Sequence, residues 1–333
     1  MNRRSSKKLI VFILFLIIFV VILFGPDYQR DAKSSELGFH PDLIENISFN
    51  FNETGFPFNV VPNIVHYILF DVTNITFGHF ISLLSVMKNH KPDLIYIHCT
   101  EKQLSGDNYE RTLRVANKTN SQLIVRTIEK PTQIFGHNLS KKWGNWDLSD
   151  FLRMQVLMEF GGIYLDSDMY VVQALDEFRK YETTLEWNGE TNVYTGILMA
   201  NKNSRFLKLM LKSFQEYDSE NIYGWSGVIV PSMLLKEQPY LVHRINGEFG
   251  QNSVDVCPKI YFSYYENWSK EYFTIHLSIR GNEISFKKYC FRKMKGQNNL
   301  RTFYNESIVR QLDVTFGEMC RNVYDFEKEM ISN

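Results

Sequence analysis

The residues Gly161-Gly162-Ile163-Tyr164-Leu165-Asp166-Ser167-Asp168 carry the most explicit chemistry in the chain. An apolar run ends in two carboxylates separated by one residue. In extended backbone, residues i and i+2 point to the same side, so Asp166 and Asp168 converge if the strand continues through them. If the chain turns there, one ligates directly and the other acts through water. Two like charges this close repel unless a cation lies between them. Oxygen donors suit hard divalent ions such as Mg²⁺ or Mn²⁺. The expectation is a metal site at the C-terminal end of a central strand, where open α/β sheets bind their ligands.

Several elements must position that pair. The pattern from Leu148 to Phe160 predicts a helix, with Ser149 or Asp147 as its N-cap. Asp150 and Arg153 lie three residues apart on it, which by itself describes an ordinary surface ion pair. The glycine pair then ends the helix and releases the chain into a strand over Ile163 to Leu165. Upstream, strands are expected over Asn63–Phe70, Leu94–Cys99 and Gln122–Ile128, with helices over Phe77–Asn89 and, more weakly, Asp107–Lys118. This alternation argues for right-handed βαβ units and an α/β fold with a mostly parallel sheet. No Gly-x-Gly-x-x-Gly follows the first strand and no Walker loop is present, so neither kind of glycine cradle would hold a nucleotide. Downstream, Asn192–Ala200 reads as a strand, Ser204–Tyr217 as an amphipathic helix, Trp225–Gly227 as a turn, Val228–Lys236 as a short helix and Phe273–Leu277 as a strand carrying His276.

The 333 residues suffice for one large or two ordinary domains, and a 44% hydrophobic composition supplies their core. Lys+Arg and Asp+Glu are both 37, which gives no electrostatic case for a nucleic-acid partner. Arg3, Arg4, Lys7 and Lys8 precede an unbroken apolar run from Leu9 to Phe24, and Gly25-Pro26 ends it. As a helix this run covers about 24 Å, slightly short of a typical hydrocarbon core of ~30 Å. Its basic flank keeps the N-terminus cytosolic, and no small-x-small cleavage site follows. The chain is thus expected to have a cytosolic tail (1–8), a transmembrane signal anchor (9–25), a stem (26–60) and a lumenal domain (61–333), as a type II membrane protein. Asn-x-Ser/Thr sequons at Asn46, Asn52, Asn74, Asn117, Asn138, Asn267 and Asn305 fit a lumenal chain, with the two in the stem the most accessible. In such a compartment Cys99, Cys257, Cys290 and Cys320 could form up to two disulfides, in any of three connectivities.

The combination Ser149-Asp150-x-x-Arg153, then Gly161-Gly162-x-Tyr164-x-Asp166-x-Asp168, resembles the DxD sugar-binding region of glycosyltransferase family 32, the α1,4-galactosyl- and α1,4-N-acetylglucosaminyltransferases of the Golgi. Weaker similarity runs from Val65-His66-Tyr67 to the region of His276. The resemblance implies a GT-A fold, Rossmann-like in its nucleotide half and fused to an acceptor half. It further implies a UDP-sugar donor, Mn²⁺ or Mg²⁺, a glycolipid or glycoprotein glycan acceptor, retention at the anomeric carbon and a Golgi membrane location. By motif, Asp150, Arg153, Tyr164 and Asp166 would contact the donor, and Asp166 and Asp168, the catalytic pair, would hold the metal with His276 as third ligand. This chain differs from the vertebrate members in having Thr195-Gly196, Trp225-Ser226-Gly227 before Pro231, and Leu277-Ser278-Ile279 after His276. Two rival readings are a haloacid-dehalogenase-type phosphatase, whose Asp-x-Asp also follows a strand, and a non-enzymatic lumenal glycan binder built on the same fold. Tyr170 stands where the phosphatase pattern has Thr or Val.

Overall fold

A computed structural model describes residues 51–142, 144–189, 192–217, 224–280, 283–284 and 304–332. The expected tail, the expected anchor and most of the expected stem lie outside them. Among the described residues no helix is long and apolar enough to cross a membrane.

The β-branched and aromatic runs form the parallel half of a central sheet. Strand β1 (Ile64–Leu69) pairs in parallel with β2 (Leu94–Cys99), and β2 with β3 (Gln122–Thr127). On the other side of β1 lies the parallel strand β6 (Gly162–Leu165), which carries the expected ligand pair at its end. Two short strands, β4 (Gln133–Ile134) and β5 (His137–Asn138), form a separate hairpin. The sheet then continues through β9 (Asn192–Ala200), antiparallel to both β6 and β8 (Thr183–Asn188), and ends at β10 (His243–Ile245), parallel to β8. The full order is β10-β8-β9-β6-β1-β2-β3, so the expectation of a mostly parallel α/β sheet holds, with β9 as the one reversed strand. The strand β8 was not foreseen, although its inward residues Leu185 and Trp187 join a core.

Alternation along the strands feeds two cores, one on each face. Val65, Tyr67 and Leu69 of β1 and Ile163 and Leu165 of β6 face helix α2 (Phe77–Asn89), flanked by α3 (Asp107–Ala116) and α10 (Thr315–Ser332). Ile68 and Tyr164 face α4 (Gly144–Phe160) and α5 (Arg205–Ser213) on the opposite side. The C-terminal helix α10 is amphipathic, with Phe316, Met319, Cys320 and Val323 buried. It is tied to α3 by Arg111, whose Nε and Nη2 each lie 2.6 Å from a Glu327 oxygen. The remaining helices are the short α1 (Phe51–Thr54), α6 (Val230–Glu237), α7 (Ser253–Tyr261), α8 (Trp268–Glu271) and α9 (Glu306–Arg310).

The described residues correct three sequence expectations. Helix α4 begins at Gly144, so Asp147 and Ser149 are interior residues and neither is the N-cap. The end of the expected stem is not a tether, because Phe56, Val60 and Val61 are buried in the core. Asn52 is 2% exposed, donates from Nδ2 to the Tyr240 carbonyl and accepts the Thr183 N–H, so among the described sequons it is the least accessible rather than the most. The sequon asparagines Asn74, Asn117, Asn138, Asn267 and Asn305 are exposed. The cysteines stay within the expected limit of two disulfides: Cys257 is disulfide-bonded, while Cys99 and Cys320 are free, buried thiols.

Candidate active site

The glycine pair sets the direction in which the site faces. Gly161 and Gly162 have φ of +66° and +114°, backbone that side chains rarely adopt. A Cβ on Gly162 would lie 2.5 Å from the Ile64 carbonyl oxygen and 2.9 Å from His66 Nε2. The space is closed because a pair of buried imidazoles sits against the turn. His66 Nε2–H donates to the Gly161 carbonyl at 2.9 Å, and its Nδ1 pairs with His98 Nε2 at 3.1 Å. Burial, above all, holds both histidines below their usual range, so both are neutral. The expected C-cap and strand release are therefore present, and β1 locks them.

After Leu165 the chain turns. The Met169 N–H donates to the Asp166 carbonyl at 2.9 Å, and strand β7 (Met169–Val171) leaves the main sheet to pair with β11 (Thr274–His276). Of the two geometries open from the sequence, the turn is the one adopted. Asp166 and Asp168 consequently face different partners. Asp166 Oδ1 accepts the Tyr164 hydroxyl at 2.8 Å and lies 3.3 Å from Arg153 Nη2. Asp168 Oδ1 is 3.0 Å from His276 Nε2, and its Oδ2 accepts the Ile279 N–H at 2.7 Å. Register delivers the histidine: His276 pairs with Met169 across β7 and β11.

Arg153 is the hub of the other side. Arg153 is 5% exposed, and its guanidinium lies 4.4 Å from the centre of the Tyr164 ring. Nη2 is 2.9 Å from Asp150 Oδ1, Nη1 donates to the Thr195 carbonyl at 2.7 Å, and Nε donates to the Ser149 carbonyl. The i,i+3 pair that reads as a surface bridge is thus buried and joined to the Asp-x-Asp turn. Burial pushes the Asp150 carboxyl up to about 6, against Arg153 and the Ser226 hydroxyl, which donates to it at 2.6 Å. For Asp168 burial acts in the same upward direction, but His276 and the Ile279 N–H outweigh it and hold the carboxyl below its ordinary value. For His276 burial disfavours charge, yet Asp168, with Asp166 behind it, raises the imidazole to about 9.

Asp150, Arg153, Tyr164, Asp166, Asp168 and His276 line one cavity of about 390 Å³. It opens beyond the C-terminal ends of β1 and β6, as expected for an open α/β sheet. Phe70 and Val72 lie at its β1 end, and Trp146, Tyr194 and Val228 line it on the side of α4, β9 and the turn before α6. Two glycines keep it open. A Cβ on Gly196 would lie 2.7 Å from Asp166 Oδ2, and one on Gly227 would lie 2.8 Å from Asp150 Oδ2. Gly227 belongs to a π-helical turn, Trp225–Ile229, that leads into α6. Thr195-Gly196 and Ser226-Gly227, where the chain departs from the pattern it resembles, therefore lie directly against Arg153, Asp150 and Asp166. Asp147, which accepts the Tyr217 hydroxyl at 2.7 Å, was expected only as a helix cap, and Gln251 was not foreseen; neither sits in a recognisable motif.

Among the described residues, no group of three His, Cys, Asp or Glu side chains could by itself hold a metal ion. Of the expected triad only Asp168 and His276 touch; Asp166 lines the same cavity but bonds to Tyr164 and Arg153. The donor set still fits a hard divalent ion. Mg²⁺-type sites characteristically use one or two carboxylates, with substrate phosphates and waters completing the shell. Asp168 is held ionised, and the proton it shares with His276 is the one a cation would replace.

Residues 80–185 match the family described as the glycosyltransferase sugar-binding region containing the DXD motif. The chain is 26% identical over 198 residues to "Glucan organizing enzyme 1" of Cryptococcus neoformans var. grubii, covering 54% of this chain and 51% of that protein. It thus spans about half the length of that curated relative. Among solved structures, the glycosyltransferase GlyE of Streptococcus pneumoniae aligns with 81% of this chain and 64% of its own at 13% identity and a TM-score of 0.43. The bifunctional WbbM glycosyltransferase aligns with 82% of this chain and 51% of its own at 13% identity and a TM-score of 0.43.

Proposed function

We infer that this chain, which carries the DXD sugar-binding region of the glycosyltransferases, is a metal-dependent transferase that moves a hexose or N-acetylhexosamine from a UDP-sugar to a glycan. The observation that carries this reading is the buried Asp150–Arg153–Asp166 chain and the Asp168–His276 pair lining one cavity. In a GT-A arrangement of this kind, the strands β1 to β3 would face the nucleotide. Asp150, Arg153, Tyr164 and Asp166 would face the sugar and ribose.

The chemistry required is charge stabilisation. Negative charge develops on the nucleoside diphosphate as the glycosidic bond breaks. Asp168 and His276, with Asp166 beside them, would hold Mn²⁺ or Mg²⁺, which when bound neutralises the diphosphate as a Lewis acid. Arg153 is already fixed by six hydrogen bonds and ion pairs, so its charge needs no reorganisation as the barrier is crossed. Its role is to hold Asp150 and Asp166 where the sugar hydroxyls meet them. The cavity's carboxylates Asp147, Asp150, Asp166 and Asp168 all bond to neighbours. This favours attack by the acceptor hydroxyl on the leaving-group face, with the departing phosphate taking its proton. Such a route retains configuration and calls on no enzyme nucleophile.

The name of the fungal relative brings glucans into the range of acceptors, beside the glycolipid and glycoprotein glycans that the sequence suggests. The apolar run at 9–24 behind its basic flank supports a membrane-anchored, lumenal location such as the Golgi. The test is a donor screen with the purified protein, scoring Mn²⁺-dependent hydrolysis of UDP-glucose, UDP-galactose and their N-acetyl derivatives. Hydrolysis of one donor, lost on chelation, is the expected result. Silence on every UDP-sugar would sink the reading and favour a glycan binder.

A further inference from the structure

A second polar side chain lines the cavity without belonging to the sequence motif. Gln251 is 4% exposed, and its position is fixed from several sides. The preceding Gly250 has φ of +57°, and a Cβ there would lie 2.6 Å from the Thr274 carbonyl oxygen. The chain therefore runs hard against β11, and the Gly250 carbonyl accepts the His276 N–H at 3.1 Å. The Gln251 N–H faces the buried Glu186 carboxylate at 3.4 Å. Its side-chain Oε1 accepts the Ile197 N–H at 3.1 Å, close to the register shift between Leu185 and Glu186 in the β8–β9 ladder.

That last bond decides which end of the amide is which. An NH₂ group in the place of Oε1 would face another donor, so Nε2 must be the end that is left over. Nε2 is buried and makes no hydrogen bond among the described residues. Buried donors are nearly always paired, and an exception at a cavity wall calls for an explanation. Gln251 also stands beside the DXD carboxylate. The point where a Gly196 Cβ would sit is 2.8 Å from Gln251 Oε1 and 2.7 Å from Asp166 Oδ2.

We propose that Gln251 is a donor-sugar contact: its Nε2–H₂ donates to a hydroxyl oxygen of the hexose, which lies between Gln251 and Asp166. The proposal rests on the nucleotide-sugar reading above. A neutral side-chain amide suits a neutral hydroxyl better than an anionic phosphate oxygen. The diphosphate end of the cavity is marked instead by Asp168 and His276. With Gly196 leaving room between Gln251 and Asp166, this pair would read one edge of the sugar and so contribute to donor choice.

The test uses the full chain and two variants. Gln251→Glu keeps the Oε1 acceptor for the Ile197 N–H and removes the NH₂ donor. Gln251→Met removes both without adding charge. Each is assayed for Mn²⁺-dependent hydrolysis across the UDP-sugar panel and for binding of UDP alone. The expected result is a fall of at least about tenfold in kcat/KM on the preferred UDP-sugar for both variants. The affinity for UDP should stay within about twofold, and the ratio between sugars should change. An unchanged kcat/KM in either variant overturns the proposal. Equal losses in UDP affinity and turnover also overturn it, because they place the contact on the diphosphate. If the wild-type chain binds UDP but turns over no UDP-sugar, the nucleotide-sugar reading has failed; active wild type with indifferent variants refutes the Gln251 contact alone.

Discussion

Arg153 holds Asp166 from the neighbouring helix: its Nη2 lies 3.3 Å from Asp166 Oδ1 while also 2.9 Å from Asp150 Oδ1. One buried guanidinium thus binds the end of β6 to the body of α4. Three ionised groups share this space, and each is tolerable only because of the others. Arg153→Lys keeps the charge but loses the planar fork that reaches Asp150, Asp166 and Thr195 at once. Activity is expected to fall about 100-fold or more, with the fold retained at a lower Tm. Arg153→Ala strands two carboxylates and should cost about 3–5 kcal/mol of stability. Thermal melts beside steady-state rates check both, and an active, fully stable Lys variant would refute the hub role.

Asp168→Asn tests the proposed cation end. The amide preserves shape but removes the charge that His276 and a divalent ion would share. Turnover of UDP-sugar is expected to fall by about three orders of magnitude, in line with losing a group that organises transition-state charge. Mn²⁺ should no longer raise the Tm in the presence of UDP. Retained Mn²⁺-dependent stabilisation in this variant would remove Asp168 from the metal site.

Gly196→Ala and Gly227→Ala each add one methyl at the cavity wall. Those methyls would lie 2.7 Å from Asp166 Oδ2 and 2.8 Å from Asp150 Oδ2. Neither glycine has positive φ, so no backbone strain accompanies the change. The carboxylates must shift instead. The expected signature is a loss of about tenfold or more in kcat/KM, with stability lowered by no more than about 1–3 kcal/mol, as for overpacking. Gly162→Ala is the contrast: at φ +114° and 2.5 Å from the Ile64 carbonyl it should impair folding itself, read as loss of soluble protein.

Glu186 gives a pH-dependent prediction. Burial, with Glu248 adding to it, pushes this carboxyl up to about 7, against the Gln251 and Phe249 N–H groups and His276. The folded state therefore favours the neutral acid. Its contribution is fully present below the unfolded value of 4.5 and is lost as pH rises toward 7. Glu186→Gln removes that loss. The variant should gain stability relative to wild type between pH 5 and pH 8, by on the order of 2 kcal/mol. Melts across that range measure it, and a constant difference between the two proteins would show that Glu186 does not titrate there.

The strand–helix alternation, the glycine release and the carboxylate pair at a strand end were legible because each is local. Apolar periodicity, a positive-φ requirement and short-range spacing are properties of a few neighbouring residues. Legibility failed where the chain's partners are distant. Nothing near Asn52 says that Thr183 and Tyr240 will cover it, and nothing near Cys99 or Cys320 says that they will stay unpaired. The C-terminal helix was not foreseen; its buried stripe packs against α2.

The sequence by itself determined the strand end that carries Asp166 and Asp168, and its resemblance to the DxD sugar-binding region implied that Asp150 and Arg153, on spacing alone an ordinary surface pair, belong with them. Only the tertiary structure decided how that unit is divided. The turn after Leu165 sends Asp166 to Arg153 and Asp168 to His276, and the latter meeting depends on β11 pairing with β7 across 108 residues of chain. The same applies to Gln251, whose unpaired amide is visible only after β9 has claimed its oxygen. Local propensity can place a carboxylate at a strand end. Which partner satisfies it is settled by packing, where a buried charge costs too much to stand alone.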